Sequence, residues 1–315
     1  AVTCDDFAQA IADANPGSAL AQHLSAFKNW YSQAGTPQVH ASGVHDPANQ
    51  RYTLTLRQSC APTPGQDSKA PFVIPVMVGL LDEQGQALPH NQLCVLSEAE
   101  QQWVFDGIAQ EPVPSVLRGF SAPVVLHFDY TQAQLLTLLA HDSDPFNQWE
   151  ASQRLATRAA LSAIENPTPA GPILPPEVVQ AFGQVLQNPQ LDAAFKELVL
   201  TLPSETYLAE QLSVVDPLRI HQVRQAMRMQ LARELQPIWE QVYATHRTRG
   251  TFSISVQAMG QRALANLALQ HLCLSAVGNP ESDWPDQALH AFSRATNMTD
   301  RMGALQALVH AQHPH

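Results

Sequence analysis

The hydrophobic period of this chain changes at Tyr130 and does not change back. From Gln132 onward apolar residues recur at helical spacing, and helices are expected at 132–141, 145–164, 176–187, 191–201, 204–212, 217–245, 254–277, 285–295 and 299–311. The breaks between them are short and hold Pro, Asn or Gly. Asp144-Pro145 and Asp216-Pro217 each put a capping carboxylate before a proline at the first helical position, and Ser204 supplies a hydroxyl cap in the same way. Pro237, which has no amide proton to donate, should kink or end the helix begun at Pro217. Helix pairs joined by short turns stack into a solenoid. No fixed repeat length is visible, so the expectation is a solenoid-like domain rather than a named repeat.

Between Gln38 and Tyr130 the pattern is that of strands. Residues 51–58 (Arg-Tyr-Thr-Leu-Thr-Leu-Arg-Gln) alternate with period two and are rich in β-branched and aromatic side chains. Further strands are expected at 72–81, 102–106, 116–120 and 124–129, with a turn at 82–85 and a Pro/Gly surface loop at 61–65. Pro75, within 72–81, requires an edge or a bulge. Several short strands with no helix between them indicate a small antiparallel sandwich of roughly 90 residues.

Before Gln38 the chain is helical. Thr3 followed by Asp6 has the form of a capping box, and Leu20, Leu24, Phe27, Trp30 and Tyr31 form an apolar stripe on a helix expected over 19–32, stopped by Gly35 and Pro37. So short a lead-in has little of its own to pack this stripe against. The start lacks an initiator Met, and the end, His310-Ala311-Gln312-His313-Pro314-His315, carries no stop signal. Together these ends read as those of an excised segment. The expected fold class is α+β multidomain: a short helical lead-in (1–37), a small antiparallel β-sandwich (38–130), then an α-solenoid-like helical domain, truncated (131–315).

Seventeen Lys and Arg against 28 Asp and Glu give a net charge of −11. A nucleic-acid partner is not expected, because phosphate binding needs a basic face and no Lys/Arg cluster supplies one. No apolar run is long enough to span a bilayer, so a membrane partner is not expected either. The four cysteines, Cys4, Cys60, Cys94 and Cys273, are widely spaced with no C-x-x-C pair. They read as buried free thiols, and the reducing cytoplasm is the expected location.

The usual signatures of catalysis are missing. No His is followed by Glu, so there is no H-E-x-x-H zinc helix, and no G-x-S-x-G elbow or Gly-rich phosphate loop occurs. His310 and His313 could share a helix face with His315 nearby, but without a carboxylate they read as a solvated tail. His141-Asp142-Ser143-Asp144 resembles a metal loop, yet Pro145 makes it a turn and helix cap. Asp5-Asp6 complements a helix dipole, and Trp30, Trp103, Trp149, Trp239 and Trp284 read as packing anchors. The sequence therefore assigns no catalytic, no cofactor-binding and no metal-ligating residue.

Seven segments, in order, carry a resemblance that covers essentially the whole chain: Thr3-Cys4-Asp5-Asp6-Phe7; Trp30-Tyr31-Ser32-Gln33-Ala34-Gly35-Thr36-Pro37; Tyr52-Thr53-Leu54-Thr55-Leu56; Phe120-Ser121-Ala122-Pro123-Val124; Phe146-Asn147-Gln148-Trp149-Glu150-Ala151; Leu202-Pro203-Ser204-Glu205; and Asn297-Met298-Thr299-Asp300. They resemble the part of the bacterial aminopeptidase N family that follows its catalytic domain. The resemblance implies a parent that is a zinc-dependent exopeptidase with H-E-x-x-H and G-x-M-E-N motifs. Neither motif is present, and the nearest string, Ile164-Glu165-Asn166, lies in the wrong domain. It further implies no cofactor in this chain and Zn only in the parent. The implied partners are the parent's intramolecular catalytic domain and its peptide substrates, and the implied role is a scaffold and wall around the active-site cavity. The competing expectation is a free-standing peptide- or protein-binding sandwich-plus-solenoid module.

Overall fold

The computed structural model describes residues 2–166, 171–247 and 250–311. It divides into two compact units, Ala1–Gln148 and Trp149–His315.

The first unit begins with α1 (Cys4–Ala14), whose start carries the expected capping box. The Asp6 amide donates to Thr3 Oγ1 at 3.2 Å and the Thr3 amide donates to Asp6 Oδ2 at 2.9 Å. The helix expected over 19–32 is instead three single turns: α2 (Ala19–Gln22), α3 (Leu24–Phe27) and α4 (Asn29–Ser32). His23, at φ −118° and ψ 18°, breaks the first joint. The segmentation lets the apolar stripe find a local partner, contrary to the expectation that it had little to pack on. Trp30 lies 4.8 Å from Phe72 between ring centroids and donates its indole N–H to the Val73 carbonyl at 2.9 Å. A polar clasp adds to this: Asn29 donates to the Pro71 carbonyl, and Gln66 accepts from the Ala34 amide and donates to the Ser32 carbonyl, each at 2.8 Å. Phe7 (61% exposed) and Ile11, one turn apart on α1, stay outside this packing.

The sandwich follows. Its strands are β1 (Gln38–Asp46), β2 (Arg51–Ser59), β3 (Ile74–Leu81), β4 (Ala87–Leu96), β5 (Glu100–Asp106), β6 (Val113–Val116) and β7 (Val125–His127). They form two sheets in the orders β5-β2-β1-β7 and β4-β3-β6. The alternation read in β2 is real: Tyr52, Leu54 and Leu56 are buried, while Arg51 and Arg57 face solvent and pair with Asp106 and Glu100 on β5. The buried β2 side chains meet Ile74, Val76, Val78 and Leu80 of β3 and Phe105 of β5 in one core. All pairings are antiparallel except β1 with β7, which run parallel from Gln38↔Val125 to His40↔His127.

Pro75 sits in a central strand, but β6 pairs only with residues 78–81 of β3. Met77, which faces the same way as Pro75, donates its amide to Ser121 Oγ at 3.0 Å, away from β4. The missing N–H of Pro75 therefore points at an unpaired stretch of strand, as its chemistry demands. The strand expected over 116–120 ends at Val116. Leu117, Gly119 and Phe120 adopt φ of 65°, 62° and 49°, and a 3-10 turn spans Arg118–Phe120. The reversal directs Arg118 back to Ser143 and Asp142, and the Gly119 amide donates to Asp144 Oδ2 at 2.8 Å.

Two helices meet at this turn: α5 (Gln132–His141), with a second capping box from Thr131, and α6 (Pro145–Glu165). The second unit continues with α7 (Pro176–Gln187), α8 (Ala193–Leu200), α9 (Glu205–Glu210), α10 (Pro217–Glu234), α11 (Gln236–His246), α12 (Val256–Ser275), α13 (Trp284–Arg294) and α14 (Met298–His310). The expected break occurs: the long pattern from Pro217 divides at Leu235, two residues before Pro237. The middle helix is α12, packed against α8, α10, α11, α13 and α14. Gly260 permits the close approach of α8, since a Cβ there would lie 2.8 Å from the Ala194 amide nitrogen of that helix. The outer face of α14 carries Met298, Met302, Leu305 and Val309, spaced as one stripe and all exposed.

Candidate functional site

Among the described residues, no group of three or more His, Cys, Asp and Glu side chains could hold a metal ion. A zinc ion thus has no donor set there. No helix among them is long and apolar enough to cross a membrane. His313 and His315 lie outside the described residues. His310 is not the solvated tail expected of it: it ends α14 half-buried, and burial first, then the charge of Arg228, pushes its imidazole down to about 4.

The run His141-Asp142-Ser143-Asp144 is the expected cap and turn, with more buried chemistry than a cap requires. Asp144 Oδ1 accepts the Asn147 amide at 2.9 Å, capping α6. Asp142 is fully buried. It accepts from Ser115 Oγ at 2.5 Å and from the Asp144 amide at 2.9 Å, and lies 3.5 Å from Arg118 Nη2. Asn147 donates to the same Ser115 hydroxyl at 2.7 Å. Burial raises the Asp142 carboxyl above its ordinary range, outweighing the Ser115 and Asp144 hydrogen bonds and the Arg118 charge, which lower it. This is a structural knot between β6 and the start of α6, and it presents no free nucleophile.

The cysteines are free, but only two fit the expectation of burial. Cys94 faces the sandwich core and Cys273 the α12–α13 packing, and burial pushes both thiols up to about 12. Cys60 is half-buried, and Cys4, the first residue of α1, is exposed. A thiol reagent applied to the native protein is expected to modify Cys4 first and Cys60 more slowly, with Cys94 and Cys273 reacting only on unfolding. Mass mapping of the labelled peptides checks the order; early label on Cys94 or Cys273 would contradict it.

A denser collection of buried polar groups lies in the second unit. A cavity of about 570 Å³ opens among α8, α10, α12 and α14, lined in part by Arg224, Arg228, His271, His310, Glu197 and Gln306. Arg224 and Arg228 are one turn apart on α10. Arg228 is 8% exposed, and its Nη1 donates to Gln225 Oε1 at 3.1 Å. Arg224 donates from Nε to the Pro203 carbonyl at 2.8 Å and from Nη2 to the Leu202 carbonyl at 3.5 Å. Neither guanidinium has a carboxylate within ion-pair distance among the described residues. Burial first, then the Arg224 charge, brings Arg228 down to about 10. His271 stacks on Trp239 with ring centroids 4.4 Å apart. Its Nδ1 faces the Leu267 carbonyl at 2.9 Å, and its buried Nε2 has no protein partner. Burial pushes this ring down to about 4 as well. Arg224, Arg228 and His271 were not singled out from sequence, and His310 was read only as part of a tail. The signal that could have found them is the like-charged pair at i and i+4 on α10, an arrangement unfavourable on a helix unless something else offsets it.

An Ig-like layer followed by stacked helices defines the class of protein. Residues 35–129 match an Ig-like domain of unknown function, DUF3458, and residues 132–315 match the ARM-repeat domain of unknown function DUF3458_C; the chain belongs to this family. The ARM description refines the solenoid-like reading. The chain is 36% identical to aminopeptidase N of Escherichia coli (strain K12) over 100% of its own length and 36% of that protein. With aminopeptidase N of Haemophilus influenzae the identity is 34%, over 99% of this chain and 35% of the relative. With that of Caulobacter vibrioides it is 37%, over 98% and 34%. The chain thus spans about a third of the length of the curated relatives it matches. Among solved structures it superimposes on Legionella pneumophila aminopeptidase A in complex with aspartic acid, with a TM-score of 0.81 and 24% identity, over 98% of this chain and 35% of that one. At that identity the likeness speaks for the fold.

Proposed function

We propose that this chain works as the non-catalytic C-terminal part of a zinc-dependent aminopeptidase N, as scaffold and wall of the cavity in which the parent removes N-terminal residues from peptides. The observation that carries the reading is similarity along the whole chain to about a third of each aminopeptidase N. Two exposed apolar faces support it, Phe7 with Ile11 on α1 and the Met298–Met302–Leu305–Val309 stripe on α14, since such faces suit surfaces that other parts of one enzyme cover. On this reading the partners are the parent's catalytic domain and its peptide substrates, zinc belongs to the catalytic domain, and the enzyme is cytoplasmic. The working parts are 1–37, 38–130 and 131–315. Walls of this kind exclude folded proteins and displace water from a reacting centre, which strengthens electrostatic stabilisation there.

The test compares two polypeptides on aminoacyl chromogenic substrates with added zinc. This chain alone is expected to give no turnover. A longer product of the same reading frame, extended upstream, is expected to hydrolyse them. Zinc-dependent turnover by this chain alone, or an upstream frame without a zinc helix, would sink the proposal.

A further inference from the structure

We infer that the cavity among α8, α10, α12 and α14 is a binding site for a phosphate group that retains an ionisable hydroxyl, held by Arg224 and Arg228 and donating that hydroxyl to His271. The charge balance makes the case for an anion. Two guanidiniums share one face of α10 and one cavity, and Arg228 is more than nine-tenths buried. Arginine holds its proton at this depth, so both remain cationic. The acids that face them are Glu197, which lines the cavity and is bonded by Thr201 Oγ1 at 3.3 Å, and Glu205, which is engaged by His221 at 2.9 Å. Both histidines of the lining, His271 and His310, stay neutral at physiological pH. The lining itself therefore holds two cations against one carboxylate. Arg228 donates to the neutral Gln225 amide oxygen and, among the described residues, has no carboxylate beside it, and an oxyanion supplies the charged acceptor that its guanidinium lacks.

The second requirement is set by His271. The Leu267 carbonyl can only accept, so the ring proton is on Nδ1 and Nε2 presents a lone pair. That lone pair is buried and unmatched. It calls for a donor, and the ligand must therefore carry both anionic oxygens and a hydroxyl. Hydrogen phosphate and the monoanion of a phosphate monoester have both. Sulfate at neutral pH has only the first. The cavity is large enough for either phosphate source.

Isothermal titration calorimetry of the whole chain at neutral pH, with inorganic phosphate, phenyl phosphate and sulfate as probes, tests this. Saturable one-to-one binding of phosphate or phenyl phosphate is expected, the tighter of the two telling the free ion from an ester. Sulfate should bind at least tenfold more weakly. Arg228→Met should lower the phosphate affinity at least tenfold while circular dichroism stays native, and Arg224→Gln serves if that variant does not fold. His271→Phe, which keeps a ring to stack on Trp239 but removes Nε2, should erase the preference for phosphate over sulfate. No saturable phosphate binding to the folded chain, or an affinity unchanged in the arginine variants, would overturn the site. Equal binding of sulfate and phosphate by the unaltered chain would overturn the part given to His271.

Discussion

Asp142→Ala is expected to destabilise the sandwich unit by about 3–5 kcal/mol, the cost of removing one partner from a buried ionic cluster. The carboxylate is fully buried and the side chain of Arg118 is 15% exposed, so the cation left behind has little water to turn to. The change also strips Ser115 Oγ and the Asp144 amide of their acceptor. Because Asp144 caps α6 and holds the Gly119 amide, the loss should extend from the left-handed turn at Leu117 into the first turn of that helix. Urea unfolding followed by tryptophan fluorescence measures it, and a loss below about 1 kcal/mol, the worth of an exposed pair, would contradict the account. The pH dependence has a definite sign. Burial raises this carboxyl in the folded state, so between the unfolded and folded pKa the native protein binds more protons than the unfolded one. Its contribution to stability therefore increases as pH falls through that window and decreases as pH rises through it. The stability of the unaltered chain relative to Asp142→Asn should accordingly rise on acidification, and a fall would reverse the assignment.

Trp239→Ala should cost the helical unit about 3–5 kcal/mol, as expected for a large aromatic side chain removed from a core. Trp239 is completely buried, donates its indole N–H to the Leu231 carbonyl at 3.1 Å, and carries the stacked ring of His271. It stands just beyond the break that Pro237 imposes, so it ties α11 back to α10 and α12 where backbone continuity is lost. Native-state hydrogen exchange can locate the effect: amides of α10, α11 and α12 should lose protection. Unchanged protection across those helices would show that the break is held together by something other than this ring.

The helices were the most legible part of the sequence. The expected bounds of α5 and α7 match the structure from end to end, and those of α6 miss by one residue, because Thr131, Asp144 and Pro176 mark their starts by local chemistry. Strands lacking such marks were missed. In β4 the run Ala-Leu-Pro-His-Asn-Gln is mostly exposed and only Cys94 and Leu96 are buried, so its inward period is too short to read. β1 carries Gly43, whose absent side chain leaves room for the Tyr52 ring, and its inward alternation stops at Ala41, with Ser42, Gly43 and Val44 all exposed. The turn at 117–120 was unreadable for a different reason. A left-handed leucine is stabilised by what Arg118 and Gly119 reach in residues 142–144, a contact distant in sequence. The candidate site shares that difficulty: its arginines come from α10 and its histidines from α12 and α14, brought together by packing alone.

The parallel pair of β1 with β7 has a consequence for how the chain is made. It closes the four-stranded sheet by joining residues 38–40 to 125–127, the first strand to the last. Contacts so far apart in sequence form late, after the entropy of closing the intervening loop has been met. During synthesis the edge of β1 stays open until β7 has left the ribosome, and Val39, which ends fully buried, waits with it. Nascent chains arrested before residue 125 should remain open to protease at β1, whereas chains arrested well past Tyr130 should be protected there. Completion of the sandwich is thus timed by the strand that immediately precedes the first helix of the ARM-repeat region.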